Sequence, residues 1–185
     1  MAGHDAVINL ATHMPRLDWH AVLPGAWAEN NRIRTIGSAN LARAAAEAGV
    51  DIFIQESFAP AYPDCGDKWI DESVPLALAR YNRSIADAER AALGFAERRP
   101  RGVVLRFGAF YGPDAEQVFD LIGYLRKGWA PLPSRPEAFI SPLSHDDAAT
   151  LSPPRSSHRP APTMPSTTSR CRAASFMGSW PASSV

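Results

Sequence analysis

Two short apolar runs, Ile52-Phe53-Ile54-Gln55-Glu56-Ser57 and Val103-Val104-Leu105-Arg106-Phe107, are separated by a stretch whose apolar residues recur at helical spacing. Between Leu76 and Arg98, Tyr81, Ile85, Ala88, Ala92 and Phe95 fall on one helical face, with Arg83, Asp87, Arg90 and Glu97 mostly elsewhere. Strand, helix, strand of this length predicts a right-handed parallel crossover. In open α/β sheets ligands bind beyond the carboxyl ends of the strands. Ser57 and the residues after Phe107 are therefore expected to open into one crevice.

The flanking pattern extends the same architecture. Val7-Ile8-Asn9-Leu10-Ala11 reads as a short buried strand, and Pro24-Gly25 as a turn. Ile33, Ile36, Ala39 or Asn40, Leu41, Ala44 and Ala48 predict a helix from Trp27 to Ala48 that Gly49 ends. Ala59 to Pro75 is rich in Pro, Asp and Gly, which predicts a surface loop bordering the crevice. Asp114 is expected to cap a helix with Val118, Leu121, Ile122 and Leu125 inward and Gly128 as its stop. Ala138-Phe139-Ile140 reads as a short strand, and His145-Asp146-Asp147-Ala148-Ala149 as the start of a further helix.

Beyond that point the periodicity ends. From Leu151 to Val185 the chain has nine Ser, six Pro and no acid, a composition that predicts disorder. Back-translated with G- or C-rich third bases and read one base earlier, this tail yields an alanine-rich continuation of the interrupted helix. It then yields an apolar run with an acidic turn. Residues 151–185 are accordingly expected to be translated out of frame, and residues 1–150 to form one domain.

The 185 residues suit a single domain, and their formal charge is zero with 19 basic and 19 acidic residues. All the acids precede Thr150, so the body carries 15 basic residues against 19 acidic and the tail carries Arg155, Arg159, Arg170 and Arg172. A mildly acidic body argues against nucleic acid as a partner. No window approaches the roughly 18 apolar residues of a membrane span. Cys65 and Cys171 form no Cys-x-x-Cys pair, and the five histidines have no metal-ligand spacing, so no metal is expected. With no signal peptide at the N-terminus, a cytoplasmic location is the expectation.

Ser57, then Tyr62-Pro63-Asp64, then Tyr81 in Tyr-Asn-Arg-Ser-Ile-Ala-Asp-Ala-Glu, then Leu-Arg-Phe-Gly-Ala-Phe-Tyr-Gly-Pro resemble, in order, the extended short-chain dehydrogenase/reductase family, the NAD-dependent epimerases and dehydratases. The resemblance runs from about Asp5 to Ala149. It implies an α/β fold, a partial doubly wound, Rossmann-like parallel sheet whose first visible strand is the family's fourth. The earlier strands carry the glycine-rich turn that binds the cofactor pyrophosphate, and no such turn occurs among the twelve glycines.

The resemblance implies NAD or NADP as cofactor and a nucleotide sugar or similar small hydroxyl or carbonyl compound as substrate. It also allows a homodimer. Tyr81 would act as acid or base and Ser57 would hydrogen-bond the reacting oxygen. Leu10, Ala11, Thr12, Arg34 and Phe107 would line the cofactor, and Phe58, Ala109 and Phe110 the substrate. The family's lysine four residues after the tyrosine is Ile85 here, an apolar residue that lends the phenol no positive charge. Tyr81 is equally readable as an aromatic packed at a helix start, Ser57 as a turn cap, and Arg34 as a surface arginine. Two alternatives to the enzyme are a non-catalytic nucleotide- or partner-binding relative and an inactive gene fragment.

Overall fold

The computed structural model describes residues 3–15, 19–97, 101–129 and 141–150. Strands β1 (Ala6–Asn9), β2 (Ile52–Phe58) and β3 (Arg101–Phe107) form a parallel sheet in the order β1-β2-β3. Ala6 pairs with Ile52 and Ile52 with Arg101, so each strand begins level with its neighbour. A second, smaller parallel pair joins β4 (Ala109–Tyr111) to β5 (Pro142–Ser144). The strand foreseen at 138–140 and the tail from 151 lie outside the described residues. The last strand described is β5, just after the first of these.

The first helical run is α1 (Ala28–Arg32), a π-helical turn over Ile33–Gly37, and α2 (Ser38–Glu47). Its close is the one foreseen: Gly49 adopts φ +81°, its N–H bonds the Ala46 carbonyl, and Val50 N–H bonds that of Ala45. Only glycine takes that conformation at little cost. The phase of the helix differs from expectation. Ile36 is exposed, while Asn30, Arg34, Ser38, Ala42 and Ala45 are buried. Polar side chains at the sheet's carboxyl end face this stripe, so polar residues occupy the inward positions there.

Helix α3 (Ser84–Ala96) is shorter than the pattern predicted. Residues 76–79 are not helical: Ala77 N–H is bonded to the Ala61 carbonyl, Ala79 is extended, and a 3-10 turn over Arg80–Asn82 leads into the helix. Proline at 75 and this pairing keep the segment out of the helix, which leaves Tyr81 ahead of it. Helix α4 (Glu116–Arg126) starts from Ala115, without a side-chain cap from Asp114. Its expected inward residues are not buried: Ile122 and Leu125 are exposed, Val118 and Leu121 half-buried. The helix closes as foreseen at Gly128, φ +75°, with Trp129 N–H on the Tyr124 carbonyl. A six-residue α5 (His145–Thr150) follows β5.

Two apolar clusters hold the sheet, one on each face. On the helix side, Phe53 packs against Phe95 with ring centroids 5.5 Å apart, among Ala42, Ala45, Val50 and Ala92. On the other, Ile54, Leu105 and Phe107 gather Phe110, Leu143 and Ala148. The contact of α3 with β3 is close enough that a Cβ on Gly102 would collide with the Ala92 carbonyl. Gly102→Ala should therefore lower stability by about 1–3 kcal/mol, the usual penalty for overpacking. Urea unfolding should show a lower midpoint at unchanged slope; an unaltered midpoint would mean the helix is free to slide.

Candidate functional site

The helix-facing side of β2 turns from apolar to polar toward its carboxyl end, through Phe53, Gln55 and Ser57, all fully buried. Asn9 Nδ2 donates to Gln55 Oε1 (2.8 Å) and to Ser38 Oγ (3.1 Å), tying the ends of β1 and β2 to α2. Buried polar groups of this kind are tolerated because each meets a partner.

Ser57 was expected to face the crevice. Instead its Oγ donates to Glu89 Oε1 of α3 at 2.5 Å. Glu89 also accepts two bonds from Arg106, at 2.8 and 2.7 Å, and Arg106 Nη1 donates to the Tyr62 hydroxyl while its guanidinium lies 5.1 Å from that ring's centroid. The bonds from Glu89 raise the Arg106 pKa further above its ordinary value. Alternation along β2 places residue 57 on the helix side with Phe53 and Gln55, where it meets this partly buried carboxylate–guanidinium pair. Ser57 therefore positions the helix in this structure.

Arg34 is likewise neither a surface side chain nor open to a cofactor. It is 4% exposed, and its Nη2 bonds both carboxylate oxygens of Glu56, at 2.9 and 3.2 Å. Burial raises the Glu56 pKa, and Arg34 pulls it back only in part. Arg34 Nη1 is buried without a partner among the described residues, an unmet donor under the loop that follows β1. That loop is held at Asn30, whose Oδ1 accepts from Thr12 Oγ1 (2.9 Å) and from the His13 N–H (3.1 Å). Leu10, Ala11 and Thr12 are exposed along it.

Tyr81 is 47% exposed and stacks on Trp27 of the turn before α1, with centroids 5.1 Å apart. Asn82 beside it is buried, its Oδ1 without a partner among the described residues. Ile85 is in the core at 3% exposure, so the position of the family's lysine faces inward. Phe58 and Phe107 are register partners at the ends of β2 and β3. Phe107 stacks on Phe110 at 5.3 Å, and Ala109 N–H bonds the Ser141 carbonyl at 2.7 Å. Leu10–Thr12 and Tyr81 are thus exposed, Phe58 and Phe110 are half-buried, Phe107 is buried in the cluster on the other face of the sheet, and Ser57 and Arg34 are withdrawn from the surface.

Glu56, Tyr62, Glu89 and Arg106 were missed as site-forming residues. Glu89 was detectable in principle, since it stands one turn beyond Ile85 on the same buried face of α3.

The family model for the NAD dependent epimerase/dehydratase family matches residues 1–127. A Streptomyces sp. protein described as 3-diazoavenalumate denitrifying reductase is 35% identical over 134 residues, covering 68% of this chain and 43% of that one. Among solved structures, DesIV, the dTDP-glucose 4,6-dehydratase of Streptomyces venezuelae solved with NAD bound, is similar with a TM-score of 0.64 and 20% identity. The alignment covers 80% of this chain and 47% of DesIV. The UDP-glucuronic acid 4-epimerase of Bacillus cereus, solved with UDP-glucuronic acid and NAD, gives a TM-score of 0.58 at 19% identity, with 78% and 46% covered. The chain spans about half the length of these relatives. Their fold is the Rossmann fold, with a parallel sheet as observed here. No helix among the described residues is long and apolar enough to cross a membrane.

The buried Arg34–Glu56 pair makes a sharp prediction. Arg34→Met strands a buried carboxylate and should cost about 3–5 kcal/mol at neutral pH, whereas adding Glu56→Leu should restore most of the loss. The sign with pH follows from the direction of the shift. A carboxyl whose folded pKa is raised contributes stability that is complete below its unfolded pKa and is lost as pH rises through the folded value. Arg34→Met raises that value further, so its penalty should shrink on acidification toward pH 4.5, the ordinary value. Urea titrations at both pH values check this, and an equal loss at each would rule out Glu56 as the source.

Proposed function

The chain belongs to the NAD-dependent epimerase/dehydratase family, and from that premise we propose that it is an oxidoreductase moving hydride between NAD(P) and a hydroxyl-bearing carbon. A nucleotide sugar or a similar small alcohol or ketone is the substrate class. The observation that carries this reading is the exposed phenol of Tyr81, in the turn that leads into α3 and against Trp27 of the turn before α1.

The residues fit part of a dinucleotide. Leu10, Ala11 and Thr12 offer an exposed segment at the end of β1 against which a dinucleotide would lie. With the dinucleotide's adenosine part on that segment, its nicotinamide would supply the two-electron exchange. Tyr81 would hydrogen-bond the substrate oxygen, with Phe58, Phe107, Ala109 and Phe110 excluding water around the reacting carbon. Ser57 would act through Glu89 as a positioning residue. We place the reaction in the cytoplasm and the chain in a homodimer.

A second reading is favoured by Ile85: with an apolar side chain buried where a cation is needed, the chain binds a nucleotide or a partner without turnover. Calorimetry with NAD+ and NADP+, followed by stopped-flow absorbance at 340 nm with UDP-glucose, separates the two. The enzyme reading expects dinucleotide binding and reduction, with Tyr81→Phe slowing turnover at least about 100-fold at unchanged dinucleotide affinity. Binding without any absorbance change would leave only the second reading.

A further inference from the structure

Tyr81 stands in the 3-10 turn ahead of α3, where an exposed side chain is ordinarily free to swing about its two torsions. None of the hydrogen bonds among the described residues engages its hydroxyl. Ile85, one turn on, lies in the core and offers the phenol no bond. What meets the ring is Trp27, half-buried in the turn before α1, with centroids 5.1 Å apart and planes inclined by 49°. Aromatic pairs favour such inclined contacts over a face-to-face sandwich.

The indole is itself anchored. Its Nε1–H donates to the Ala21 carbonyl at 2.8 Å, and the Trp27 carbonyl accepts from Asn31 N–H, also at 2.8 Å, in the first turn of α1. Gly25 takes φ +87° in the turn ahead of it, and Ala28 N–H closes that turn on the Gly25 carbonyl at 2.9 Å. The ring contact also continues along the helices. Ser84 Oγ donates to Asn31 Oδ1 at 2.8 Å, and Thr35 Oγ1 donates to Asp87 Oδ2 at 3.1 Å. Trp27, Asn31 and Thr35 thus meet Tyr81, Ser84 and Asp87 in order, so the first helical run and the start of α3 share one register.

We propose that Trp27 is a positioning residue for Tyr81, its indole backing the phenol and fixing the direction in which the hydroxyl meets the substrate. The proposal rests on the oxidoreductase reading, in which that hydroxyl bonds the substrate oxygen. A ring held by one neighbour is steered without being covered, and 47% of Tyr81 stays exposed. Orientation then comes from a contact between two helical segments, because residue 85 supplies none from within α3. Its value is kinetic: displacing a reacting group by about 1 Å can cost about 100-fold in rate. Trp27 does not touch the reacting atoms in this account and acts only through the tyrosine.

The test uses the full chain with its four tyrosines replaced by 3-fluorotyrosine, the Tyr81 fluorine resonance being assigned by its loss in Tyr81→Phe. In the free protein the indole's ring current should displace that resonance from the position of an unstacked fluorotyrosine. Trp27→Leu, which keeps apolar bulk without a ring, should remove most of the displacement. Trp27→Phe, which keeps a ring but not the N–H bond to Ala21, should retain part of it. With NAD+ and UDP-glucose as probes, Trp27→Leu should lower kcat about tenfold or more with KM within about twofold, and Trp27→Phe should recover part of the loss. Cooperative urea unfolding of both variants shows that each is folded when compared. A Tyr81 resonance unmoved in Trp27→Leu, or wild-type kcat in that variant, would overturn the positioning role and leave the oxidoreductase reading intact. Absence of turnover by the wild-type chain would overturn both.

Discussion

One carboxylate, Glu89, joins the structure's principal parts. It takes Ser57 from β2 and both donors of Arg106 from β3, and through Arg106 it reaches Tyr62 in the loop after β2. Apolar packing alone would let α3 slide along the sheet, since Ala88 and Ala92 are small and uniform. The forked bonds between Glu89 and Arg106 accept one register. Tyr81 opens the turn into α3, so its height above the strands is set two helical turns away. Partial burial of the pair costs desolvation, and the bonds it makes fix the position of the helix.

The same division runs along every strand that touches the first helices. Near the amino ends, Val7, Phe53 and Val104 face Ala42, Ala45 and Phe95, and burial of apolar area does the holding. Toward the carboxyl ends Asn9, Gln55, Ser57 and Glu56 meet Ser38, Glu89 and Arg34. Cohesion passes from non-directional to directional forces where a ligand must be met with defined geometry. The wide turn at Ile33–Gly37 lies in this polar zone, and π-helical turns of this kind are frequent at functional sites.

How much of this was readable from the residues depends on the force involved. The strands Ile52–Phe58 and Arg101–Phe107 were legible because apolar runs between turn residues have few other solutions. Gly49 and Gly128 were legible because a left-handed cap demands glycine. The inward stripe Asn30, Arg34, Ser38 was not, because polar residues at helical spacing ordinarily face water, and only partners distant in sequence turn them inward. For the same reason Ser57 was placed facing outward. Pairing across 31 residues, as between Asp114 and His145, leaves no local signature either. The start of α3 was misjudged because Ala77 answers to the backbone of Ala61, a competitor that helical periodicity does not register.

The strand order has a bearing on how the molecule comes into being. Because β1, β2 and β3 lie side by side in the sequence in which they are made, no strand must be threaded between two that are already joined. The nascent polypeptide leaving the ribosome can close one strand–helix–strand unit and then lay the next against its free side. The edge of β1 that takes β2, and then the edge of β2 that takes β3, is thus filled by the strand synthesised next, which shortens the time it is open to pairing with another chain.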